Sequence, residues 1–334
     1  MRKIINFEKK PYIVSSAAVG GREEKEGPLG DFFDLCDQTD RFGKDTWEKA
    51  EGEMGRLSLA IAMKKANMTV EKIDALFAGD LENQCVASSG GLYSFGIPYI
   101  GLYSACSTCT EALLLLSSMI AAGHIDTGAT VTTSHNSAAE RQFRTPIEYG
   151  ALRTPTSQWT ATAAGSFIIS SKIKSEIYIK DGMIGKITDG LTKDGSDMGA
   201  AMSRAAADTV YTYLSLNNSP PENFDAIFSG DLGKRGSEIF KELIRKDFPH
   251  AAEIHEDCGT LLYDMNKKNV NSGASGCGCS ASVLSTYILP KLKSGELKNI
   301  LFFSTGALMS PSSILQGENI LGIAPIINIK RELQ

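Results

Sequence analysis

The residues best placed to do chemistry lie in the string Gly101-Leu-Tyr-Ser-Ala-Cys106-Ser-Thr-Cys109-Thr-Glu-Ala-Leu-Leu-Leu-Leu. A turn of small residues leads into a helix that is apolar on all sides over Leu113 to Leu116, which marks it as buried rather than amphipathic. Ser107 or Thr108 can cap that helix, so Cys106 falls at or just before its N-terminus. Backbone N–H groups and the helix dipole favour a thiolate there. Cys106 is therefore a candidate nucleophile or ligand-contacting thiol. The competing reading is a small, inert core thiol. The Cys106-x-x-Cys109 spacing also raises redox and zinc chemistry. A redox pair belongs near a chain's first βαβ unit and faces solvent. Zinc needs two further ligands, and Cys277-Gly-Cys279 is distant and too closely spaced. Cys277 and Cys279 read instead as small thiols in a crowded Gly/Ala/Ser turn.

Other polar groups follow strand-like runs. Ser134-His135-Asn136, with Arg141 and Arg144 beyond, comes after the apolar run ending at Thr133. Asp80 and Asp231 each follow a strand in a Gly-Asp pair, where capping a turn is the simpler role. His124 and His250 read as surface turn residues. His255, beside Asp257 and Cys258, has no evident relation to Cys106. The charge run Arg22 to Glu26 reads as a solvated loop. There is no P-loop and no dinucleotide Gly-x-Gly-x-x-Gly, and Gly233-Lys234 lacks the context of one. No cofactor is expected.

The elements that must hold these groups alternate. Strand-like runs fall at 73–78, 129–133, 165–170, 177–179, 224–229 and 299–304, with helical patterns at 47–66, 200–216 and 236–247. Alternation of this kind predicts an α/β fold with a mostly parallel sheet. Residues 299–304 are apolar on both alternations, as a sheet covered on both faces requires. The octapeptide Asp74-Ala-Leu-Phe-Ala-Gly-Asp-Leu81 recurs as Asp225-Ala-Ile-Phe-Ser-Gly-Asp-Leu232. Each copy follows a helical pattern that opens on Met-Gly, at Met54-Gly55 and Met198-Gly199. A second pairing relates the Gly turns at Ala121–Ile125 and Lys293–Leu297, each preceding a strand. Two related halves are expected, 1–173 and 174–334.

The chain has 334 residues, 34 Lys+Arg and 39 Asp+Glu, hence a formal net charge of −5, with seven Cys and four His. That balance argues against nucleic acid as the main partner. The polar Met1–Lys10 stretch and the odd cysteine count predict free thiols in a reducing, cytoplasmic setting. No apolar run approaches the ~18 residues of a membrane span.

The order of these features resembles the thiolase fold of thiolases and ketoacyl synthases, and the chain from about residue 11 to 325 is similar to the stage V sporulation protein AD family. The resemblance is carried by Gly27-Pro-Leu-Gly30, Gly79-Asp-Leu81 with Asn83-Gln84, Ser104-Ala-Cys106-Ser-Thr108, Ser134-His-Asn136, Ala139-Glu-Arg-Gln-Phe-Arg144 and Glu148-Tyr-Gly150. In the second half it is carried by Asp197-Met-Gly199, Ala205-Ala-Ala-Asp-Thr209, Gly230-Asp-Leu232, Asp257-Cys-Gly259, Ser275-Gly-Cys277 with Cys279-Ser280, and Thr305-Gly-Ala-Leu308 with Ser310-Pro311. It implies two halves stacked as a five-layer αβαβα sandwich, with helices starting near Cys106 and Cys279 in the middle layer, and a homodimer paired through an edge strand of the first half.

Condensing enzymes of this fold need two second-half groups, His with His or Asn, to activate the thiol and hold an oxyanion. Here those positions carry Gly230-Asp231 and Gly273-Ala-Ser-Gly276. An anionic Asp231 near Cys106 would oppose thiolate formation. The resemblance therefore implies a non-catalytic binder of dipicolinic acid (pyridine-2,6-dicarboxylate), acting in its uptake into the developing spore and its release at germination. Its partners would be the other membrane proteins of the same operon, and it would lie peripheral to the inner spore membrane. The alternative is a thiolase- or ketoacyl-synthase-type acyltransferase using Cys106. The expected ligand contacts are Cys106, Ser107, His135, Asn136, Arg141, Asp80 and Asp231, where the two aspartates either meet calcium carried with the ligand or accept a hydrogen bond from a histidine.

Overall fold

Alternating two-sided burial sets the architecture. In the computed structural model, which describes residues 2–143, 153–217, 220–267 and 270–332, ten strands form two runs of five. The first run comprises β1 (Tyr12–Gly20), β2 (Ala75–Gly79), β3 (Tyr99–Gly101), β4 (Thr127–Ser134) and β5 (Ala163–Ser170). The second comprises β6 (Ile177–Met183), β7 (Ala226–Ser229), β8 (His255–Asp257), β9 (Asn299–Phe303) and β10 (Ile326–Arg331). The spatial orders are β1-β5-β4-β2-β3 and β6-β10-β9-β7-β8. In each, the last three strands are parallel and the first two pairings are antiparallel. The runs meet edge to edge at one residue pair, Tyr12 with Tyr178.

Helices cover both faces. α1 (Trp47–Lys65) and α2 (Val86–Leu92) lie outside the first run. α5 (Met198–Leu216) and α6 (Gly233–Arg245) lie outside the second. Between the runs lie α3 (Thr108–Ala121) and α7 (Cys277–Val283). α3 touches β2 and β4 of one run and β6 and β10 of the other, in the largest apolar cluster. This is the five-layer αβαβα sandwich with the expected middle layer. Two shorter helices flank the site described below: α4 (Asn136–Phe143), and α8 (Pro311–Leu315), which follows β9.

Local chemistry fixes the helix starts. Thr46 accepts the Lys49 N–H at 3.3 Å and caps α1, and Asp197 accepts the Ala200 N–H at 3.1 Å and caps α5. Only α5 opens on Met-Gly. Met54-Gly55 lies well inside α1, so the apparent match is out of register. The true repeat is a glycine crossing. A Cβ on Gly52 would sit 2.8 Å from Ala87 O and 3.1 Å from Gly91 N, and one on Gly199 would sit 2.6 Å from Leu232 O and 2.8 Å from Gly236 N. In both halves the long helix touches the short one backbone to backbone.

Two further expectations need correction. Glu24, inside the charge run taken for a solvated loop, is fully buried: its carboxylate receives the Tyr263 hydroxyl, the Thr162 N–H at 3.0 Å and the Gly21 N–H at 3.1 Å. β1, β3, β8 and β10 gave no strand signal. β1 follows Tyr12-Ile13-Val14 with Ser15-Ser16-Ala17-Ala18, whose small residues have weak strand preference, and tertiary pairing overrides it.

Two neighbouring glycines separate packing from propensity. Gly91→Ala forces a Cβ to 2.1 Å from Gly52 O and is expected to cost about 1–3 kcal/mol, whereas Gly90→Ala meets nothing within 4 Å and should stabilise by about 0.5–1 kcal/mol. Thermal or urea unfolding of the two variants measures the difference, and equal effects would contradict the crossing.

Candidate functional site

A mainly apolar recess of about 340 Å³ opens over Cys106. Leu81, Tyr103 and Ala105 come from the first-half loops, and Ala139, Glu140 and Phe143 from α4. The second half closes it with Met198 at the start of α5, Ser275 before α7, and the segment Ala307 to Ser310 leading into α8. The hydroxyls of Tyr103, Thr160, Ser275, Ser310 and Ser313 are the polar groups on its wall, and Glu140 is the lining carboxylate, paired with Arg153 at 3.2 Å. Among the described residues no Lys, Arg or His lines it.

Cys106 belongs to a single 3-10 turn, Ala105–Ser107, ahead of α3. Ala105 takes φ +50, a left-handed conformation that turns the chain into the helix. Thr108 Oγ1 donates to Ala105 O at 2.7 Å and accepts the Ser104 N–H at 3.2 Å, and Ser107 Oγ donates to Ser104 O at 2.6 Å. The two candidate caps therefore hold the turn itself, and Ser107 is buried away from the cavity.

Behind Cys106 lies Asp231, fully buried at the carboxyl end of β7. It accepts the Gly276 N–H at 2.8 Å and the Thr305 hydroxyl at 3.3 Å, and the Cys106 thiol faces it. Gly276 (φ +104) must be glycine, since a Cβ there would meet Ser134 Oγ at 2.6 Å. Burial pushes the Asp231 carboxyl up to about 7, partly opposed by the hydrogen bond from Cys106. Burial, then the facing Asp231, pushes the Cys106 thiol well above its ordinary range. The helix N-terminus does not produce a thiolate here: burial and a facing carboxyl outweigh the dipole.

The remaining expected contacts disperse. His135 is buried, and its Nε2 lies 2.9 Å from Asp40 O while its Nδ1 accepts the Ser137 N–H at 3.2 Å. That pattern makes it a neutral Nε2–H tautomer, and burial lowers its pKa. Asn136 braces α4 through Thr160 O at 3.3 Å and Thr162 Oγ1 at 3.2 Å. Arg141 points to solvent on α4 and pairs with Glu48. Asp80 accepts the N–H groups of Glu82 at 2.8 Å and Ser88 at 2.7 Å, with the Ser88 hydroxyl at 2.7 Å, and so fixes the loop into α2. Of the seven, Cys106 alone lines the cavity. Asp80 and Asp231 take hydrogen bonds from protein donors, neither lines the cavity, and neither is hydrogen-bonded to a histidine. Arg144 and Glu148-Tyr-Gly150 lie outside the described residues. His255 donates from Nε2 to Ser229 at 2.8 Å, and Ser229 donates to Asp257 at 2.6 Å, away from Cys106.

Apolar wall residues such as Phe143 and Met198 have no signature of their own in a sequence. Like Ser275, Leu308 and Ser310, both sit inside strings that carry the family resemblance, but apolar type alone does not mark a wall position. Cys277 donates to Thr133 O at 2.9 Å and so fastens α7 to β4 across the halves.

Asp231→Asn isolates the carboxylate's influence. At pH 8 the native carboxyl is mostly ionised, so the variant's Cys106 should react with iodoacetamide at least about tenfold faster. Linkage has a definite sign. A folded-state pKa raised from 3.8 to about 7 means that stability present at low pH is lost as pH rises toward 7. The melting temperature of the variant relative to the native chain should therefore increase from pH 5 to pH 8. An unchanged alkylation rate together with a pH-independent difference would contradict the assignment.

Among solved structures, the chain matches a variant of OleA from Xanthomonas campestris with a TM-score of 0.61 at 15% identity, covering 97% of this chain and 99% of that one. It matches 3-oxoacyl-[acyl-carrier-protein] synthase III from Aquifex aeolicus with a TM-score of 0.60 at 11% identity, covering 96% and 100%. At such identities the likeness speaks for the fold alone, which is thiolase-like. Stage V sporulation protein AD of Bacillus subtilis is 37% identical over 318 residues, 95% of this chain and 94% of that protein. The family model for stage V sporulation protein AD (SpoVAD) matches residues 1–330. Agreement over the whole length, in sequence as well as in fold, assigns the chain to the stage V sporulation protein AD family.

Proposed function

We propose that the cavity over Cys106 is a binding site for dipicolinic acid and that the chain is a binder rather than a catalyst. The observation that carries this reading is the pairing of Cys106 with Asp231 at the base of a mainly apolar recess. An acyl-transferring thiol needs a base and an oxyanion site. Here the facing group is an acid that stabilises the neutral thiol, and all four histidines lie off the cavity. A flat aromatic dicarboxylate suits what remains: apolar faces from Leu81, Phe143 and Met198 for the ring, and wall hydroxyls for the carboxylates. Calcium, where present, arrives as part of the ligand.

In this reading the protein serves uptake of dipicolinic acid into the developing spore and its release at germination, together with membrane proteins of the same operon. No helix among the described residues is long and apolar enough to cross a membrane, so contact with the inner spore membrane would be peripheral. The chain would work as a homodimer. β3 is the open edge of the first run, with Tyr99 and Ile100 exposed, and an edge of this kind invites pairing with a second copy.

The second reading is an acyltransferase that uses Cys106, favoured by the opening of that thiol onto a cavity of substrate size. Calorimetry with dipicolinate, with and without calcium and with benzoate as control, tests the first. Saturable heat with dipicolinate and at least about tenfold weaker benzoate binding is expected, and equal binding of the two, or none, would overturn it. Mass spectrometry after incubation with an acyl-CoA tests the second: no stable adduct is expected, and an adduct abolished by Cys106→Ser would establish the rival.

A further inference from the structure

The inner end of the cavity is backed by acids. Asp231 stands behind Cys106. Behind Leu81, another lining residue, the carboxyl groups of Glu51 (α1) and Glu82 (the β2–α2 loop) meet each other while buried. Thr133 donates to Glu51 Oε1 at 2.8 Å, but Glu51 Oε2 and both Glu82 oxygens receive no donor from any other described group. Two buried carboxyls this close, with no Lys, Arg or His among the described residues paired to either, resist ionising together, so burial favours a proton on the pair. The groups facing it are Asp80 on its own loop, the Cys277 thiol of α7 and the Tyr103 hydroxyl. Around Asp231 stand Thr305, Asp257 and the thiols of Cys106, Cys109, Cys258, Cys277 and Cys279. No Lys, Arg or His among the described residues ion-pairs with Asp231, Glu51 or Glu82, and the lining Glu140 is matched by Arg153.

An anion entering such a cavity lacks a countercharge on the described wall. It raises the proton affinity of every acid behind the wall, and by reciprocity each proton taken up strengthens the anion's binding. We propose that binding of an anionic ligand in this cavity is proton-coupled, the buried acids behind Cys106 and Leu81 taking up a proton as the dianion enters. Burial holds Asp231 and Glu82 near 7, so both have protons to gain in the neutral range. The inference rests on the dipicolinate reading and adds a second cargo to it.

Calorimetry of the whole chain with dipicolinate at pH 7, in PIPES and in Tris, counts the protons exchanged, because the two buffers differ in ionisation heat. Uptake of about half to one proton per ligand is expected, shrinking at pH 5.5, where the acids are already protonated. It should also shrink with the calcium chelate, whose charge is neutral. Asp231→Asn and Glu82→Gln should each lower the count, and if either fails to fold the native chain decides alone. Binding with no buffer dependence, or with proton release, overturns the coupling and leaves the ligand reading standing. Absence of binding in both buffers overturns the ligand reading and the coupling with it.

Discussion

The Asp231 carboxyl beneath the Cys106 thiol is the contact on which the rest turns. It gathers three segments at the carboxyl ends of second-half strands: its own turn after β7, Gly276 at the head of α7, and Thr305 after β9. It reaches across to the first-half turn that carries Cys106. Burial there raises the acid itself to about 7 and, with the facing carboxyl, keeps the thiol protonated well beyond neutrality. On the same scaffold a basic residue there would do the opposite. The chemistry available to Cys106 is thus decided from the other half of the molecule.

Duplication explains how one position came to hold such different roles. Asp80 and Asp231 hold the next-to-last place of the same octapeptide in two halves with the same strand order, yet Asp80 is consumed by the turn into α2 while Asp231 stands behind Cys106. The equivalent turn in the second half is held instead by Asp257, which accepts the N–H groups of Leu232 at 2.8 Å and Gly233 at 3.0 Å. That substitution frees Asp231. The two copies also differ at Ala78 and Ser229, and Ser229 is the residue that ties Asp257 to His255.

Much of the fold was legible because it is written in local patterns: the apolar runs of β4 and β9, the all-apolar α3, and the repeated octapeptide each state their own place. β1 was not, since a strand of serines and alanines is made by its neighbours. The site was legible at its centre and not at its rim. Cys106 and Asp231 are marked by type and by departure from the enzymes of this fold. His135, Asn136 and Arg141 form a distinctive string, but the string builds the wall: His135 ties α4 to the Asp40 loop and Asn136 braces its start. A distinctive residue beside a cavity and a residue in it look alike until the chain is folded, because burial and side-chain direction are tertiary properties.

The most direct test of the central claim is a structure of the chain crystallised with dipicolinate. The ring should sit between Leu81, Phe143 and Met198, its carboxylates on wall hydroxyls, with the Cys106 sulfur unmodified and still facing Asp231. A ligand bound elsewhere, or a covalent adduct on Cys106, would contradict it.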